Sequence, residues 1–202
     1  MVLYIISGFA QSGKTTLVNL LLKDQKIARI VTSTSRKPRE GEVDKNDYYF
    51  LKEEDFKDLS KFIETALVHG NYYGTLKDEV KNKLKQEGKK VVWVMDVQGV
   101  ANILKNHKDL DKDMVTIFIT PEKFTTLIQR IRLKEDSNSG QRIESIRKEL
   151  TYLSLFKYFI NTSISLEESL EDLKGVIYGS KEKMMKCLEF AKNFNIDKFL
   201  RS

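Results

Sequence analysis

The fold of this 202-residue chain is decided by one loop sequence, Gly8-Phe-Ala-Gln-Ser-Gly-Lys-Thr-Thr16. An apolar run at residues 2–6 precedes the loop, and residues 17–23, which follow it, repeat their apolar side chains at helical spacing. The pattern Gly-x-x-x-x-Gly-Lys-Thr between a strand and a helix is typical of a phosphate-binding loop, because backbone N–H groups and the helix N-terminus converge there on an anion. The loop therefore predicts a bound nucleoside triphosphate.

Several residues of this loop suit the binding of a phosphate or a metal ion for specific chemical reasons. Gly8 and Gly13 allow the tight backbone path, Lys14 would reach the β- and γ-phosphates, and the Thr15 hydroxyl would bind Mg²⁺. We predict that the nucleoside triphosphate, with Mg²⁺ as its cofactor, is bound by Gly8, Ser12, Gly13, Lys14, Thr15 and Thr16. The alternative is an ordinary glycine turn, which the flanking strand and helix patterns disfavour.

Apolar runs and helical patterns alternate along most of the chain. Short runs without polar alternation predict buried strands at residues 2–6, 30–31, 91–95, 115–119 and 158–160. Apolar residues spaced by three and four predict helices at residues 17–23, 97–105, 122–133, 143–155 and 166–177, and Pro121 stands where a helix could begin. This alternation predicts an α/β fold, a three-layer P-loop core in which a parallel sheet is flanked by helices.

Residues 35–88 break the alternation. They contain a polar turn, aromatic runs at residues 48–51 and 62–68, and a turn at residues 70–74, and so predict an inserted small lobe with antiparallel strands. The polar break at residues 136–140 predicts a short lid. The predicted parts are a core of residues 1–34, 89–133 and 141–179, a lobe of residues 35–88, a lid of residues 134–140 and a helical extension of residues 180–202.

The extension contains a basic amphipathic helix pattern at residues 181–193. A capping helix and a dimer contact are both compatible with this pattern. The sequence therefore leaves the role of the extension and the oligomeric state open.

Composition narrows the class of protein. No apolar run approaches the roughly 20 residues of a membrane span, and Cys187, the single cysteine, provides for neither an internal disulfide nor a zinc cluster. We therefore expect a cytoplasmic protein without membrane contact. The net charge of +6 suits a nucleic acid or a small polyanionic substrate. The densest basic run, residues 81–90, contains Glu87 and indicates a solvated helix face, so we expect no nucleic acid partner.

The remaining motifs distinguish between classes of P-loop protein. Asp96-Val-Gln-Gly99 is similar to the Asp-x-x-Gly of a GTPase switch, but the Asn-Lys-x-Asp guanine reader of such switches is missing. A kinase that transfers a phosphoryl group between two nucleotides needs arginines that converge on their phosphates. Arg36 and Arg39 flank a proline in a turn and suit capture of a monophosphate, whereas Arg130 and Arg142 bracket the predicted lid.

Five segments of the chain together resemble the guanylate kinase family. They are Ser33-Thr-Ser-Arg-Lys-Pro-Arg-Glu-Gly-Glu-Val-Asp44, Asp47-Tyr48, Phe62-Ile-Glu64, Gly70-Asn-Tyr-Tyr-Gly-Thr75 and Asp96-Val-Gln-Gly99. The resemblance spans about residues 2–177. It implies a core, a GMP-binding lobe and a lid. It also implies an ATP:GMP phosphotransferase that converts ATP and GMP to ADP and GDP.

The resemblance implies a set of site residues as well. The GMP-binding residues would be Thr32, Arg36, Arg39, Tyr48, Glu64, Tyr73 and Thr75. The catalytic residues would be Lys14, Arg36, Arg130 and Arg142, and the metal-binding residues Thr15 and Asp96. Guanine presents its N1–H and N2–H₂ donors side by side, so one carboxylate accepts from both, and Glu64 is the candidate.

The chain departs from the family pattern at three places. Val94 stands where the family has a carboxylate, and Phe9 and Gln11 replace a usual proline and glycine of the loop. At the lid, Leu133-Lys-Glu135 replaces Gly-Arg-Gly, so one lid arginine is either missing or replaced by Arg132 or Lys134.

Two alternatives to a GMP kinase stay open. One is a divergent nucleoside monophosphate kinase that prefers another acceptor such as dGMP, and the other is a guanylate kinase-like binding module without turnover. The intact Lys14 argues against the module. Of the other polar residues, His69 is expected to pack or lie at the surface, and solvation is expected for His107, Arg132 and Arg147.

Overall fold

The computed structural model describes residues 2–68, 70–108, 113–133 and 139–202. Its strands are β1 Leu3–Gly8, β2 Ile27–Ile30, β3 Ser33–Thr34, β4 Tyr49–Phe50, β5 Phe62–Val68, β6 Asn71–Leu76, β7 Lys90–Val94, β8 Met114–Thr120 and β9 Tyr158–Asn161. Its α-helices are α1 Lys14–Leu21, α2 Lys77–Leu84, α3 Val97–Asn106, α4 Phe124–Arg132, α5 Ser139–Glu149, α6 Leu166–Tyr178, α7 Lys181–Asn193 and α8 Ile196–Arg201. Short 3₁₀ helices cover Glu53–Lys57, Leu59–Lys61 and Leu150–Leu155. None of the helices in the described ranges has both the length and the apolar character needed to cross a membrane.

A five-stranded sheet has the strand order β2-β7-β1-β8-β9. The β2–β7 and β8–β9 pairs are parallel, with Ile30 opposite Trp93 and Ile119 opposite Ile160. Every residue of β1 is buried, which explains its apolar run, because a strand covered on both faces has no solvated side. The predicted fold class, a parallel sheet flanked by helices with a second small sheet, is confirmed.

The second sheet has four strands in the order β4-β3-β6-β5. Its β5–β6 and β3–β6 pairs are antiparallel, as predicted, whereas the β3–β4 pair is parallel. The turn predicted at residues 70–74 is wrong except at Gly70, whose φ of 77° fits a turn, since β6 begins at Asn71. A Cβ on Gly74 would lie 2.9 Å from the Glu64 carbonyl oxygen across the hairpin. This glycine therefore allows close strand packing and does not reverse the chain.

The ends of several helices follow from capping side chains. The Asp96 carboxylate accepts hydrogen bonds from the first turn of α3, and the Ser165 hydroxyl does the same for α6. The helix predicted at residues 143–155 is two elements, because α5 ends at Glu149 and a 3₁₀ helix follows it. Pro121 does not begin a helix, since α4 starts at Phe124 after an extended residue.

The described chain divides into two compact units. One contains residues 2–5 and Gln25–Met114, with Trp93 among its fully buried side chains. The other contains Ile6–Asp24 and Val115–Ser202, with Phe118 fully buried. The boundaries of the core, the lobe and the extension stay predictions, and residues 134–138 of the predicted lid lie outside the described residues.

The extension packs on the preceding helix. The helix predicted at residues 181–193 is α7, and the short α8 follows it. Gly175 of α6 permits the close approach, because a Cβ there would overlap Lys183 Cβ and lie 2.6 Å from Lys183 Cγ. The buried Asp172 carboxylate forms ion pairs with Lys183 at 3.1 Å and with Lys186 at 2.7 Å. A buried carboxylate requires such partners, so these contacts fix the register of α7 against α6.

We expect Gly175→Ala to lower the free energy of unfolding by about 1–3 kcal/mol, because the added methyl group forces α6 and α7 apart. Thermal unfolding measures this loss. Gly140→Ala is the matched control, since position 140 also lies in a helix but a Cβ there meets nothing within 4 Å. The control should raise Tm slightly through helix propensity. Equal Tm values for the two variants would contradict the packing argument.

Candidate active site

The phosphate-binding loop connects β1 to α1. A Cβ on Gly8 would overlap the Ile119 carbonyl oxygen and lie 2.9 Å from Ser12 Oγ, so the first glycine of the pattern is sterically required. Gly13 has a φ of 94° and is the N-cap residue of α1. Glycine adopts this left-handed conformation without strain, and its lack of a side chain leaves the first-turn N–H groups of α1 without a side-chain cap. Such N–H groups, at the positive end of the helix dipole, suit a phosphate.

Polar side chains add to this anion site. Lys14 Nζ donates to the Gly8 carbonyl oxygen at 2.9 Å, which keeps the ammonium group close to the loop. Ser12 Oγ is buried and accepts or donates no hydrogen bond within the part of the chain that the structure describes. A buried hydroxyl of this kind fits a phosphate oxygen. Thr15 and Thr16 are exposed in the first turn of α1, where their hydroxyls are accessible.

Arg130 of α4 lies beside the loop. Its guanidinium donates to the Thr162 carbonyl oxygen at 3.0 Å and to Thr162 Oγ1 at 3.4 Å. Thr162 is adjacent to the loop, since its Cγ2 would lie 3.6 Å from a Cβ on Gly13. The structure therefore brings Arg130 and the phosphate-binding loop together through one threonine.

The other cations around the predicted lid differ in burial. Arg142 of α5 is half-buried, whereas Arg132 and Arg147 are exposed, as predicted. Lys134, the other candidate for the lid role, lies outside the described residues. The catalytic role of Arg142 stays a prediction.

A second group of polar side chains lies in the other unit, around Glu64 of β5. Thr75 of β6 donates from Oγ1 to Glu64 Oε1 at 2.7 Å, and Trp93 of β7 donates from Nε1 to Thr75 Oγ1 at 3.1 Å. All three side chains are buried. Because the Trp93 N–H occupies an acceptor position of the hydroxyl, the Thr75 proton is directed at Glu64. This chain of hydrogen bonds fixes the orientation of the carboxylate.

Burial raises the pKa of Glu64 from an ordinary 4.5 to about 7. The hydrogen bond from Thr75 opposes this rise, and the charge of Asp96 adds to it. Gly99 leaves room next to the second carboxylate oxygen, since a Cβ at position 99 would lie 3.5 Å from Glu64 Oε2. The site therefore contains an oriented, poorly solvated carboxyl group that gains from additional N–H donors.

Arg36 lies in an ion-pair cluster of the same unit. Its guanidinium donates two hydrogen bonds, both 2.9 Å long, to the two oxygens of Glu42, and the Arg39 backbone N–H donates to Glu42 at 2.7 Å. Burial opposes ionisation of Glu42, but the two arginines outweigh it and lower its pKa. The guanidinium of Arg36 lies 5.5 Å from the centre of the Tyr48 ring, and the Tyr48 and Tyr73 rings are 6.1 Å apart. Arg36, Tyr48 and Tyr73 therefore come together, while the Arg39 side chain is exposed.

Backbone contacts place the remaining predicted residues. Thr32 is buried, and its carbonyl oxygen accepts from the Tyr49 N–H at 2.9 Å. Asp96 Oδ1 accepts from the N–H groups of Gln98 at 2.7 Å and Gly99 at 3.0 Å, so this carboxylate caps α3. A carboxylate has acceptor capacity beyond two hydrogen bonds. Asp96 therefore combines a structural role with the capacity for a further ligand.

The donor set fits Mg²⁺ better than a transition metal. Among the described residues, no three His, Cys, Asp or Glu side chains are grouped as metal ligands. Mg²⁺ commonly keeps several waters and takes one or two protein oxygens together with substrate phosphates. Thr15 in one unit and Asp96 in the other each offer oxygen donors of this type, and their binding of Mg²⁺ stays a prediction.

Three supporting residues were not among the predicted site residues. Trp93 orients Thr75, Thr162 binds Arg130, and His107 Nε2 lies 2.8 Å from the carbonyl oxygen of Ile63, the neighbour of Glu64. The prediction that His107 is solvated is wrong, because its ring is half-buried against β5. Of these three residues, Trp93 alone has a signal in the sequence, because a tryptophan in a buried strand needs a hydrogen-bond acceptor for its ring N–H. His69 lies outside the described residues.

Comparison with known proteins shows to which family this chain belongs. A family model described as guanylate kinase matches residues 1–180. The chain belongs to the guanylate kinase family. It is 35% identical over 191 residues to the guanylate kinase of Bartonella henselae, covering 92% of this chain and 84% of that protein. It is 37% identical over 188 residues to that of Clostridium perfringens strain SM101, covering 89% of this chain and 84% of the relative.

A solved guanylate kinase structure, from Anaplasma phagocytophilum, has a TM-score of 0.70 to this chain at 27% identity and covers 92% of this chain and 88% of its own. The resemblance seen in the sequence is thereby confirmed.

The departures from the guanylate kinase pattern have structural consequences. Phe9 is buried and packs edge-on against Phe118 with ring centres 4.7 Å apart, so an apolar contact supports the loop where the family usually has proline. Gln11 has a φ of 60°, a left-handed conformation that glycine adopts more easily. Val94 is the half-buried last residue of β7, and its side chain supplies no hydrogen-bond acceptor. The carboxyl groups that interact here are those of Glu64 and Asp96, since burial raises the pKa of Glu64 and the charge of Asp96 adds to that rise.

We expect Glu64→Gln to stabilise the protein above neutral pH. Because the folded state raises the pKa of Glu64 from 4.5 to about 7, it binds this proton more tightly than the unfolded chain does, and stability falls as the pH rises through that range. At 1.36 kcal/mol per pKa unit, the ionised Glu64 carboxylate lowers the free energy of unfolding by about 3 kcal/mol. Denaturant unfolding at about pH 5 and about pH 8 measures it. If the free energy of unfolding depended on pH equally in the wild type and the variant, the raised pKa of Glu64 would be refuted.

Proposed function

We propose that this chain transfers the γ-phosphoryl group of ATP to GMP, giving ADP and GDP, with Mg²⁺ accompanying ATP. The observation that carries the proposal is the Trp93–Thr75–Glu64 chain of hydrogen bonds, which orients a buried carboxylate. A complete phosphate-binding loop in the same protein supplies the donor site. Relatives named guanylate kinase support the same activity.

The donor site acts through fixed positive groups. Backbone N–H groups at Gly13 and the first turn of α1 bind the phosphates of ATP, and Ser12 Oγ provides a further polar contact. Lys14, whose ammonium group is kept close to the loop by the Gly8 carbonyl oxygen, adds a positive charge for the β- and γ-phosphates. The tight loop thus orients the triphosphate before any chemistry takes place.

The acceptor site reads the base with one carboxylate. Glu64 accepts from guanine N1–H and N2–H₂, whereas adenine lacks this pair of donors. Thr32 and Thr75 contact the base. Because Glu64 is desolvated, the loss of these two donors leaves a buried carboxyl group poorly paired, which is a strong basis for rejecting other bases.

The phosphate of GMP is bound by Arg36, Arg39, Tyr48 and Tyr73. Arg36 is already oriented by Glu42 and by the Tyr48 ring, so its planar fork loses little conformational freedom on binding. The exposed side chain of Arg39 contributes a second guanidinium.

Transfer depends on positioning and on charge stabilisation, and no covalent intermediate is needed. Lys14, Arg130 and Arg142 neutralise the charge of the migrating phosphoryl group. Mg²⁺ bound through Thr15 and Asp96 would neutralise charge on the β- and γ-phosphates. The attacking atom is a phosphate oxygen, so the chain requires no general base for this step.

The proposal is tested by measuring ADP release with GMP, dGMP, AMP and UMP offered separately. We expect turnover with GMP, and we expect Glu64→Gln to raise the KM for GMP by about 100-fold while the KM for ATP stays within about twofold. Glu54→Gln, an exposed carboxylate in the same unit, is the control. In the wild type, the KM for GMP should rise as the pH falls below about 7, because protonation of Glu64 removes an acceptor.

Each contrary outcome of this assay has a defined meaning. Faster turnover with dGMP would favour the divergent kinase, and ATP binding without turnover would favour the binding module. Equal effects of Glu64→Gln on both KM values would contradict the role of Glu64 in reading the base.

We expect Arg130→Ala to lower kcat by about 10³-fold, because a guanidinium that stabilises the migrating phosphoryl group contributes at least this much where it has been measured. Arg132→Ala, on the same helix but exposed, should change kcat by less than about twofold. Steady-state kinetics at saturating ATP and GMP compares the two variants. Similar losses in both would argue for a general effect of charge on α4.

A further inference from the structure

Residues 194–202 contact the donor site although they lie beyond the part of the chain that the family model matches, residues 1–180. Phe199 of α8 is 2% exposed and stacks on Phe9 of the phosphate-binding loop, with ring centres 5.8 Å apart. The Phe9 carbonyl oxygen accepts from the Ser12 N–H at 3.2 Å, so Phe9 belongs to the hydrogen-bonded turn of the loop. The C-terminal aromatic residue therefore covers one side of the loop.

The same segment contacts the helix that carries Arg130. The N-cap residue of α4, Lys123, gives no side-chain cap. Instead, the Phe124 N–H donates to Ser202 Oγ at 2.9 Å and the Thr125 N–H donates to the Ser202 carbonyl oxygen at 3.3 Å. Ser202 thus satisfies two of the N–H groups that a helix leaves unpaired at its start.

Phe199 connects these two contacts. Its ring lies 5.6 Å from the Phe124 ring at the start of α4 and 5.0 Å from the Phe194 ring, which follows α7. Phe194 packs in turn on Phe159 of β9 at 5.3 Å. Through Phe159 and the Asp172 ion pairs with Lys183 and Lys186, the segment is fixed to the rest of its unit.

We propose that residues 194–202 are a positioning element of the donor site, in which Phe199 fixes the phosphate-binding loop through Phe9 and Ser202 fixes the start of the Arg130 helix. The inference rests on the proposed function for the identity of the nucleotide, ATP. Proline at this position would restrict the φ angle of the loop backbone through its ring, and phenylalanine does not. Packing between Phe118 on one side and Phe199 on the other restores that restriction.

Residues 194–202 act on the donor site through the positions of its groups. Small displacements of groups that bind a transferring phosphoryl group lower the rate strongly, because the reacting atoms leave their aligned arrangement. Removal of the Phe199 ring leaves a cavity beside Phe9, and the loop relaxes into it. Loss of Ser202 leaves two N–H groups of α4 unpaired and allows the first turn of the helix that carries Arg130 to fray.

The first test measures binding of a non-hydrolysable ATP analogue to the full chain in the absence of GMP, by titration calorimetry. We expect Phe199→Ala to weaken this binding by about tenfold. Phe190→Ala is the matched control, since Phe190 belongs to the same aromatic cluster but its ring contacts are Phe159 and Phe194. It should change analogue binding by less than about twofold. Thermal unfolding of both variants separates a positioning effect from a general loss of stability.

The second test uses conservative variants. Phe199→Leu keeps an apolar cover over Phe9 and should recover most of the analogue affinity. Ser202→Ala should lower kcat by about fivefold, which is the factor that corresponds to the free energy of a helix cap. Ser202→Thr keeps the hydroxyl group and should restore kcat. In all variants the KM for GMP should stay within about twofold of the wild type.

The outcomes distinguish this inference from the proposed function. Equal weakening of analogue binding by Phe199→Ala and Phe190→Ala, or unchanged binding in both, would overturn the positioning role. A failure of GMP as acceptor would overturn the proposed function, whereas the analogue measurement needs no acceptor and would still support or refute the role of residues 194–202.

Discussion

The acceptor side of this protein depends on burial of one carboxyl group, Glu64, which is 6% exposed. Removing a carboxylate from water destabilises its charged form, and the hydrogen bond from Thr75 compensates for only part of that loss, as the raised pKa of Glu64 records. A ligand that brings two N–H groups to the carboxylate supplies what the protein lacks. In the function we propose, the same desolvation that weakens the folded state generates selectivity for guanine, since a base without these donors leaves the group poorly paired.

The donor side depends on steric constraint instead. Gly8 lies against the Ile119 carbonyl oxygen and Gly13 takes a left-handed conformation, so no larger residue fits either position without strain. Arg130 is held beside this loop by the carbonyl and hydroxyl oxygens of Thr162. Because these oxygens are neutral, the two hydrogen bonds do not neutralise the charge that we propose acts on a phosphate. The proposed function thus depends on desolvation for recognition of the acceptor and on backbone geometry with fixed cations for catalysis.

Local patterns in the sequence predicted much of this, and long-range contacts account for what they missed. The phosphate-binding loop, the strand Phe62–Val68 and the helix Lys181–Asn193 follow from residue spacing, which is a local property. Residue spacing predicts a turn at residues 70–74, where β6 lies, because it does not reveal that Gly74 allows close packing across a hairpin. The contacts of Trp93 with Thr75, and of Phe199 with Phe9, join residues far apart in the sequence and therefore leave no local signal.

In the function we propose, the ion pair between Arg36 and Glu42 makes binding of the substrate phosphate an exchange of hydrogen-bond partners. Both outer nitrogens of the guanidinium already donate to carboxylate oxygens, so an arriving phosphate replaces or shares these acceptors and does not meet an unsatisfied cation. An internal anion of this kind keeps the fork correctly turned between catalytic cycles. It also competes with any bound phosphate, which would lower the affinity of this site for the substrate and the product alike.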